Sequence, residues 1–472
     1  MKRRLKADLV VIGAGSGGLS VASGAAQLGL KVVLFEKGEM GGDCLNTGCV
    51  PSKALIAAAE AAHAARTAGP LGVRLPEPEI DFPAVMAHVR GAIAAIAPHD
   101  SQARFEGLGV MVVREAARFT GPETVESEGA AVRARRIVIA TGSHPVLPPL
   151  PGLDAAGCLT NETVFGLDSL PERLLVLGAG PIGAELGQAF ARLGARVTLV
   201  EAGELLPREA RELVAPVAEQ LKADGVELRE GVRAVGVDRT AAGVALRLED
   251  GAVLEGSHLL VAVGRKPALE GLDLEAGRVA HDARGIVTDR QLRSVSNRRV
   301  FAVGDVAGRE AFTHVAGAHA GLVVRRALFA QPVDAGALVV PRVTYTDPEI
   351  AVVGLSEAEE RERWGEAVKV VSAPFSGNDR AVCEGDVRGF GKLVLRRGRV
   401  VGAGLVGRDA GELIHPWVLA LARGMKLSDF TAYVPPYPTR GEIHRRLASA
   451  WFSPLLFSGK TRLLVSLLKR VG

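Results

Sequence analysis

The stretch GDCLNTGCVPSK, residues 42–53, holds two of the four cysteines of a 472-residue chain. Paired thiols at such spacing can carry electrons as a dithiol and disulfide, or contribute to a metal site. Cys44 and Cys49 are five positions apart. In a regular helix that separation is about 7.5 Å of rise alone, and a disulfide tolerates Cα atoms only to roughly 7 Å. A bond between them therefore requires a bend, and Asn46 and Gly48 suit one. The following VPSKALIAAAEAAHAAR is helix-forming, with Pro51 acceptable in a first turn. Cys49 then lies near a helix N-terminus, where a thiol loses its proton more easily. Two other readings stand beside the redox one: buried structural cysteines, and half of a zinc site. Zinc needs two further ligands, and no second cysteine cluster exists, so no metal site is expected. Cys158 and Cys383 are solitary and read as small buried residues.

Something must hold these thiols in place. Residues 8–37 read DLVVIGAGSGGLSVASGAAQLGLKVVLFEK, and residues 174–203 read LLVLGAGPIGAELGQAFARLGARVTLVEAG. Each is an apolar strand, a G-x-G-x-x-G turn, a helix, and a second strand ending in Glu. The glycines are Gly13, Gly15 and Gly18 before Glu36, and Gly178, Gly180 and Gly183 before Glu201. The first Gly permits the turn, the second lets a pyrophosphate approach, and the third lets helix pack on strand. The helix N-terminus faces phosphate, and the Glu accepts from ribose hydroxyls. Two copies in one context predict two dinucleotide-binding domains.

Each copy has a later echo, RIVIATGSHP closing on Gly142 and LLVAVGRKP closing on Gly264 and Arg265. Gly13 to Gly142 spans 129 residues and Gly178 to Gly264 spans 86, so the first copy carries 43 more. The cysteine stretch lies in that excess. VFAVGDVAG (300–308) is a further strand ending at an acid, Asp305. Beyond about residue 338, PRVTYTDPEIAVVGLS, GFGKLVL and RVVGAGLVG read as antiparallel strands, followed by helices over 411–427 and 439–452.

Composition agrees. Hydrophobic residues make up 48%, with 57 Gly, which suits an α/β chain rich in turns. A formal charge of +4, spread rather than blocked, gives no footprint for nucleic acid. MKRRLKADLVVIGAGSGG runs into a glycine turn without a small-residue cleavage site, so it reads as a first strand rather than a leader. With no run of 18 apolar residues, no spanning helix is expected, and the expected setting is cytoplasmic.

GGDCLNTGCVPSK resembles the redox-disulfide signature of the class I FAD-dependent pyridine-nucleotide disulfide oxidoreductases, and the resemblance covers almost the whole chain. The family includes lipoamide dehydrogenase, glutathione reductase and mercuric reductase. It implies an α/β fold with two Rossmann-like domains and a C-terminal α+β dimerisation domain. The expected boundaries are 1–147 (FAD, first part, with the redox disulfide), 148–266 (NAD(P)), 267–337 (FAD, second part), 338–450 (dimerisation) and 451–472 (a basic tail). By the same resemblance, the FAD site takes Gly13, Gly15, Gly18, Glu36, Gly42, Lys53, Ala117, Gly142, Asp305 and Thr313. The NAD site takes Gly178, Gly180, Gly183, Glu201, Gly264 and Arg265. Cys49 is the flavin-proximal, charge-transfer sulfur and Cys44 exchanges with substrate. Lys53 and Glu185 match an ion pair near the flavin, and the enzyme is a homodimer.

Glu201, with no Arg until Arg208, favours NADH over NADPH. In VPPYPTRGEIHRR (434–446), Tyr437 occupies the place of the partner-supplied histidine base and Glu442 keeps its glutamate's place. A phenol near pKa 10 is a poor base at neutral pH, which counts against fast lipoamide or glutathione turnover. Mercuric reductase shares the Tyr, but this chain lacks its C-terminal cysteine pair. The acceptor is thus a small or protein-bound disulfide or dithiol, or a soft metal ion such as Hg(II) or Cu(II). A non-enzymatic flavoprotein scaffold or sensor fits less well, because both cysteines, Lys53 and Glu185 are retained. The tail WFSPLLFSGKTRLLVSLLKRVG interleaves leucines with Lys460, Arg462, Lys469 and Arg470. It is too charged to span a bilayer and suits either an apolar groove or an anionic membrane surface.

Overall fold

The computed structural model describes residues 2–469; Arg470 of the tail lies outside the described residues. Two compact units emerge. One comprises Met1–His63, Glu79–Ala202 and Gly231–Leu338; the other comprises Ala64–Pro78, Gly203–Glu230 and Val339–Gly472.

In the first unit the N-terminal stretch is a strand, Arg3–Ile12, whose last four residues are buried. It lies between the parallel strands Val32–Phe35 and Ala130–Ile139, with Val110–Val113 beyond the former. Val300–Ala302 pairs with the end of Ala130–Ile139. Strands covered on both faces read as continuous apolar runs, which is why VVI, VVLF and IVI show no alternation. The helix Ser16–Gln27 packs over this sheet through Leu19, Ala22 and Ala25. Between Phe35 and Val110 come the helices Gly42–Asn46, Cys49–Thr67 and Phe82–Asp100, which account for the extra length of the first copy.

The second copy repeats the pattern. Arg173–Leu177 lies between Arg196–Glu201 and His258–Val261, all parallel, with the helix Pro181–Arg192 between the first two in sequence. The two echoes form one ribbon, Ser143–Pro145 antiparallel to Arg265–Pro267. The closing backbone bonds are Val146 N–H to Gly264 O at 2.9 Å and Ala268 N–H to Gly142 O at 3.0 Å.

The second unit is built on a five-stranded antiparallel sheet. Its order is Pro341–Thr344, Glu349–Gly354, Arg399–Gly407, Phe390–Arg396 and Val368–Pro374. Trp417, Phe375, Leu395, Leu405, Ile443 and Leu447 form its core. The helix expected over 411–427 is two pieces, Ala410–Leu413 and His415–Arg423, ending at Gly424 with φ 63°. Pro416 cannot donate within a continuous helix, but it suits the first turn of a new one. The helix expected at 439–452 begins later and runs further, Glu442–Leu456, because Thr439–Gly441 form the turn that precedes it.

Candidate active site

The glycine turns are tight for steric reasons. A Cβ on Gly18 would lie 1.9 Å from Gly13 O, and one on Gly183 would lie 1.9 Å from Gly178 O. Gly13 and Gly178 adopt φ of 104° and 103°, which excludes a side chain. The second glycines differ. A Cβ on Gly180 would meet nothing within 4 Å, whereas Gly15 abuts Gly42 of the cysteine segment. Both helices start without a side-chain cap or an acid in the first turn, leaving N–H groups free for an anion. Glu36 accepts from Ala14 N–H at 2.6 Å, and Glu201 accepts from Ala179 N–H at 2.9 Å. Each carboxylate thereby ties the end of its strand to its own glycine turn.

The cysteine segment bends where small and polar residues allow it. The helix Gly42–Asn46 stops at Thr47, and a new helix begins at Cys49. Asn46 donates to Met40 O and Gly42 O at 3.0 and 2.8 Å, closing the first piece. Both cysteines are free thiols here. Their sulfurs hydrogen-bond to each other, which holds Cys49 down to about 6 and pushes Cys44 up. Thr313 Oγ1, 3.4 Å from Cys49 Sγ, and the charge of Lys53 also favour the Cys49 thiolate, while burial opposes it. Among the described residues, no cluster of three or more His, Cys, Asp or Glu is arranged to hold a metal ion.

Four residues beyond Cys49, Lys53 Nζ meets Glu185 Oε2 at 2.7 Å, with the Glu side chain 7% exposed. The pair links the helix Cys49–Thr67 to the helix Pro181–Arg192. Asp305 accepts from Ser143 Oγ at 2.5 Å. Arg265 donates to Ser143 Oγ at 2.8 Å and to Ser143 O at 2.9 Å, and lies 3.4 Å from Asp43. The guanidinium is therefore engaged with the segment that carries the cysteines. Asn161 secures that segment by donating to Asp43 and to Thr47 O at 3.1 and 3.3 Å. Ala117 is 8% exposed, beside the strand Arg118–Gly121.

In the second unit Tyr437 is 70% exposed, and its hydroxyl donates to Asp379 at 3.0 Å. That bond and the carboxylate charge push the phenol's pKa up. Glu442, which opens the helix Glu442–Leu456, keeps a buried Oε2 that meets no hydrogen-bond donor among the described residues. The Tyr437 hydroxyl is thus held by Asp379, and the charge of Glu442 adds a smaller push in the same direction. His444 is buried edge-on against Trp417, and burial lowers its pKa to about 4. Cys383 is exposed, contrary to the buried reading, because the short helix Asp379–Cys383 turns Ala381 to the core and leaves its last residue outward. Sequence reasoning missed Ser143, Asp43 and Asp379. The first two stand inside quoted motifs; Asp379 is 58 positions from Tyr437 and has no local signal.

The family model described as "Pyridine nucleotide-disulphide oxidoreductase" matches residues 7–320, and that family's dimerisation domain matches residues 340–448. The chain is 39% identical over 460 residues to a dihydrolipoyl dehydrogenase of Thermus scotoductus, covering 92% of this chain and 95% of that one. It is 37% identical over 458 residues to a mercuric reductase of Streptomyces lividans, covering 94% and 96%. Among solved structures, the Cu(II) complex of the HOCl-induced flavoprotein disulfide reductase RclA from Escherichia coli superposes with a TM-score of 0.84. It shares 27% identity, with 93% of this chain and 99% of that one covered. With two dinucleotide turns, a dithiol bend and a dimerisation module, the chain belongs to the pyridine nucleotide-disulphide oxidoreductases, FAD-dependent enzymes that use NAD(P)H.

Proposed function

We propose that this enzyme takes its electrons from NADH, stores them in a Cys44–Cys49 dithiol and passes them to a disulfide acceptor. The observation that carries this reading is the setting of Cys49. It opens a helix, touches Thr313, and lies four residues from the Lys53–Glu185 pair.

The residues fit FAD at the first glycine turn. Gly13, Gly15 and Gly18 offer the close backbone, Glu36 the ribose acceptor, and Asp305 with Thr313 a polar edge near Cys49. Ala117, Gly42 and Gly142 complete that side. Bound there, FAD supplies a two-electron relay between the nicotinamide and the disulfide. Gly178, Gly180, Gly183 and Glu201 suit the nicotinamide dinucleotide, with Gly264 at the strand end beside them. Glu201 favours a free 2′-hydroxyl over a 2′-phosphate, which supports NADH. Arg265 is assigned to hold the cysteine segment through Ser143 and Asp43 rather than to grip the nucleotide.

Reducing the disulfide breaks one S–S bond and takes up two electrons. At neutral pH one proton stays with the pair. It sits on Cys44, whose pKa is raised, while Cys49 carries the charge beside Lys53. Glu185 fixes the ammonium in that place. Cys44 then attacks the acceptor, and its proton must leave. Tyr437, donating to Asp379, is a weak base for that step. A second reading follows: a soft metal ion displaces the thiol proton without an imidazole. The relative named mercuric reductase supports this reading. A cytoplasmic setting suits a pair re-reduced in every cycle.

The test is anaerobic reduction with NADH, followed by oxidised lipoamide, then Cu(II) or Hg(II). Loss of the long-wavelength thiolate absorbance on adding lipoamide establishes a disulfide acceptor. Persistence with lipoamide and loss with the metal establishes the second reading.

A further inference from the structure

Burial in the helix Glu442–Leu456 ends at Ala448, the residue at which the match to the dimerisation domain also ends. Trp451 and Phe452 still pack partly against the core. After Pro454 the apolar residues lose most of their cover. Leu455, Phe457, Leu463, Leu464, Leu467 and Leu468 are each between 52% and 64% exposed. Isolated exposed leucines need no explanation, but so many within 14 positions do. The final helix, Gly459–Leu468, has no buried residue and is capped by Ser458, which accepts from Thr461 N–H. At 100° per residue, Leu463, Leu464, Leu467 and Leu468 form one face, with Lys460 at its first turn, and Arg462, Ser466 and Lys469 form the other, with Val465 at its edge.

We infer that this tail docks the enzyme on an anionic lipid surface. No acidic residue follows Glu442, whereas Arg445, Arg446, Lys460, Arg462 and Lys469 do. Apolar and basic faces together match acyl chains below phosphate headgroups. Pairing with the same segment of a second copy would set like charges together around a two-fold axis, which is unfavourable. The segment lies on the bilayer and not through it. Ten residues rise about 15 Å, half of a hydrocarbon core of roughly 30 Å, and no described helix is long and apolar enough to cross a membrane.

The full-length, FAD-loaded enzyme should sediment with vesicles of phosphatidylcholine and phosphatidylserine but not with phosphatidylcholine alone. K460E/R462E/K469E should lower partitioning by at least about a hundredfold, since each lost basic residue accounts for about fivefold and each new carboxylate adds repulsion. L463E/L467E should also release the protein, with dimer mass and flavin reduction by NADH unchanged. No sedimentation, or sedimentation indifferent to charge reversal, overturns the inference. So does an L463E/L467E protein that falls apart into monomers, since the tail would then be a subunit contact.

Discussion

Cys49 and Cys44 have the same side chain but opposite proton affinities, and that difference sets their chemistry. Cys49, with a pKa near 6, is charged when folded and neutral when unfolded between about pH 6 and the ordinary thiol value of 9.0. Its contribution to stability in the reduced enzyme is therefore complete above 9 and lost as pH falls through 6. Iodoacetamide should alkylate Cys49 of the reduced enzyme with a half-maximal rate near pH 6. Lys53→Gln removes a nearby positive charge and should move that midpoint up by about one unit. An unmoved midpoint would assign the thiolate to the hydrogen bonds with Cys44 and Thr313. Cys44→Ser should abolish acceptor turnover and leave flavin reduction by NADH intact. Wild-type turnover in that variant would remove the disulfide from the electron path.

At the scale of elements, the two glycine turns separate the two nucleotide sites experimentally. Gly18→Ala and Gly183→Ala each drive a Cβ into backbone that cannot swing aside, an overpacking cost of about 3 kcal/mol. The first should yield protein poor in FAD. The second should keep FAD and raise the KM for NADH, as titration of the bound flavin would show. Glu201→Gln should raise the NADPH-to-NADH ratio of kcat/KM by about tenfold, since a charged acceptor at a ribose hydroxyl is worth roughly 1.5–3 kcal/mol. These turns were legible in the sequence because their steric demands fall within a few consecutive residues. The bend at Thr47–Gly48 was legible for the same reason. The contact between Tyr437 and Asp379, and the outward turn of Cys383, were not. Both depend on how the short helix Asp379–Cys383 sits on a sheet assembled from strands far apart in the chain. The break before Pro416 was legible in principle, and the apolar pattern across 411–427 hid it.

At the scale of the whole molecule, the dimerisation domain supports a homodimer, and the assignment of Tyr437 depends on it. If Tyr437 of one subunit serves the dithiol of the other, a base restored there acts across the interface. Tyr437→His replaces a phenol held by Asp379 with a group that titrates near neutrality. It should raise lipoamide turnover by a factor on the order of 10², the lower range for a positioned acid–base group. The decisive arrangement is a mixed dimer. One subunit carries Cys44→Ser together with Tyr437→His; the other is unaltered. The double variant alone is inactive, because neither site has Cys44. Acting in trans, its imidazole reaches the intact dithiol opposite, and the mixed dimer exceeds wild type with lipoamide. Acting in cis, it meets only a serine, and the mixed dimer shows about half of wild-type activity. That second outcome would confine proton transfer to a single subunit and leave the dimer a purely structural role.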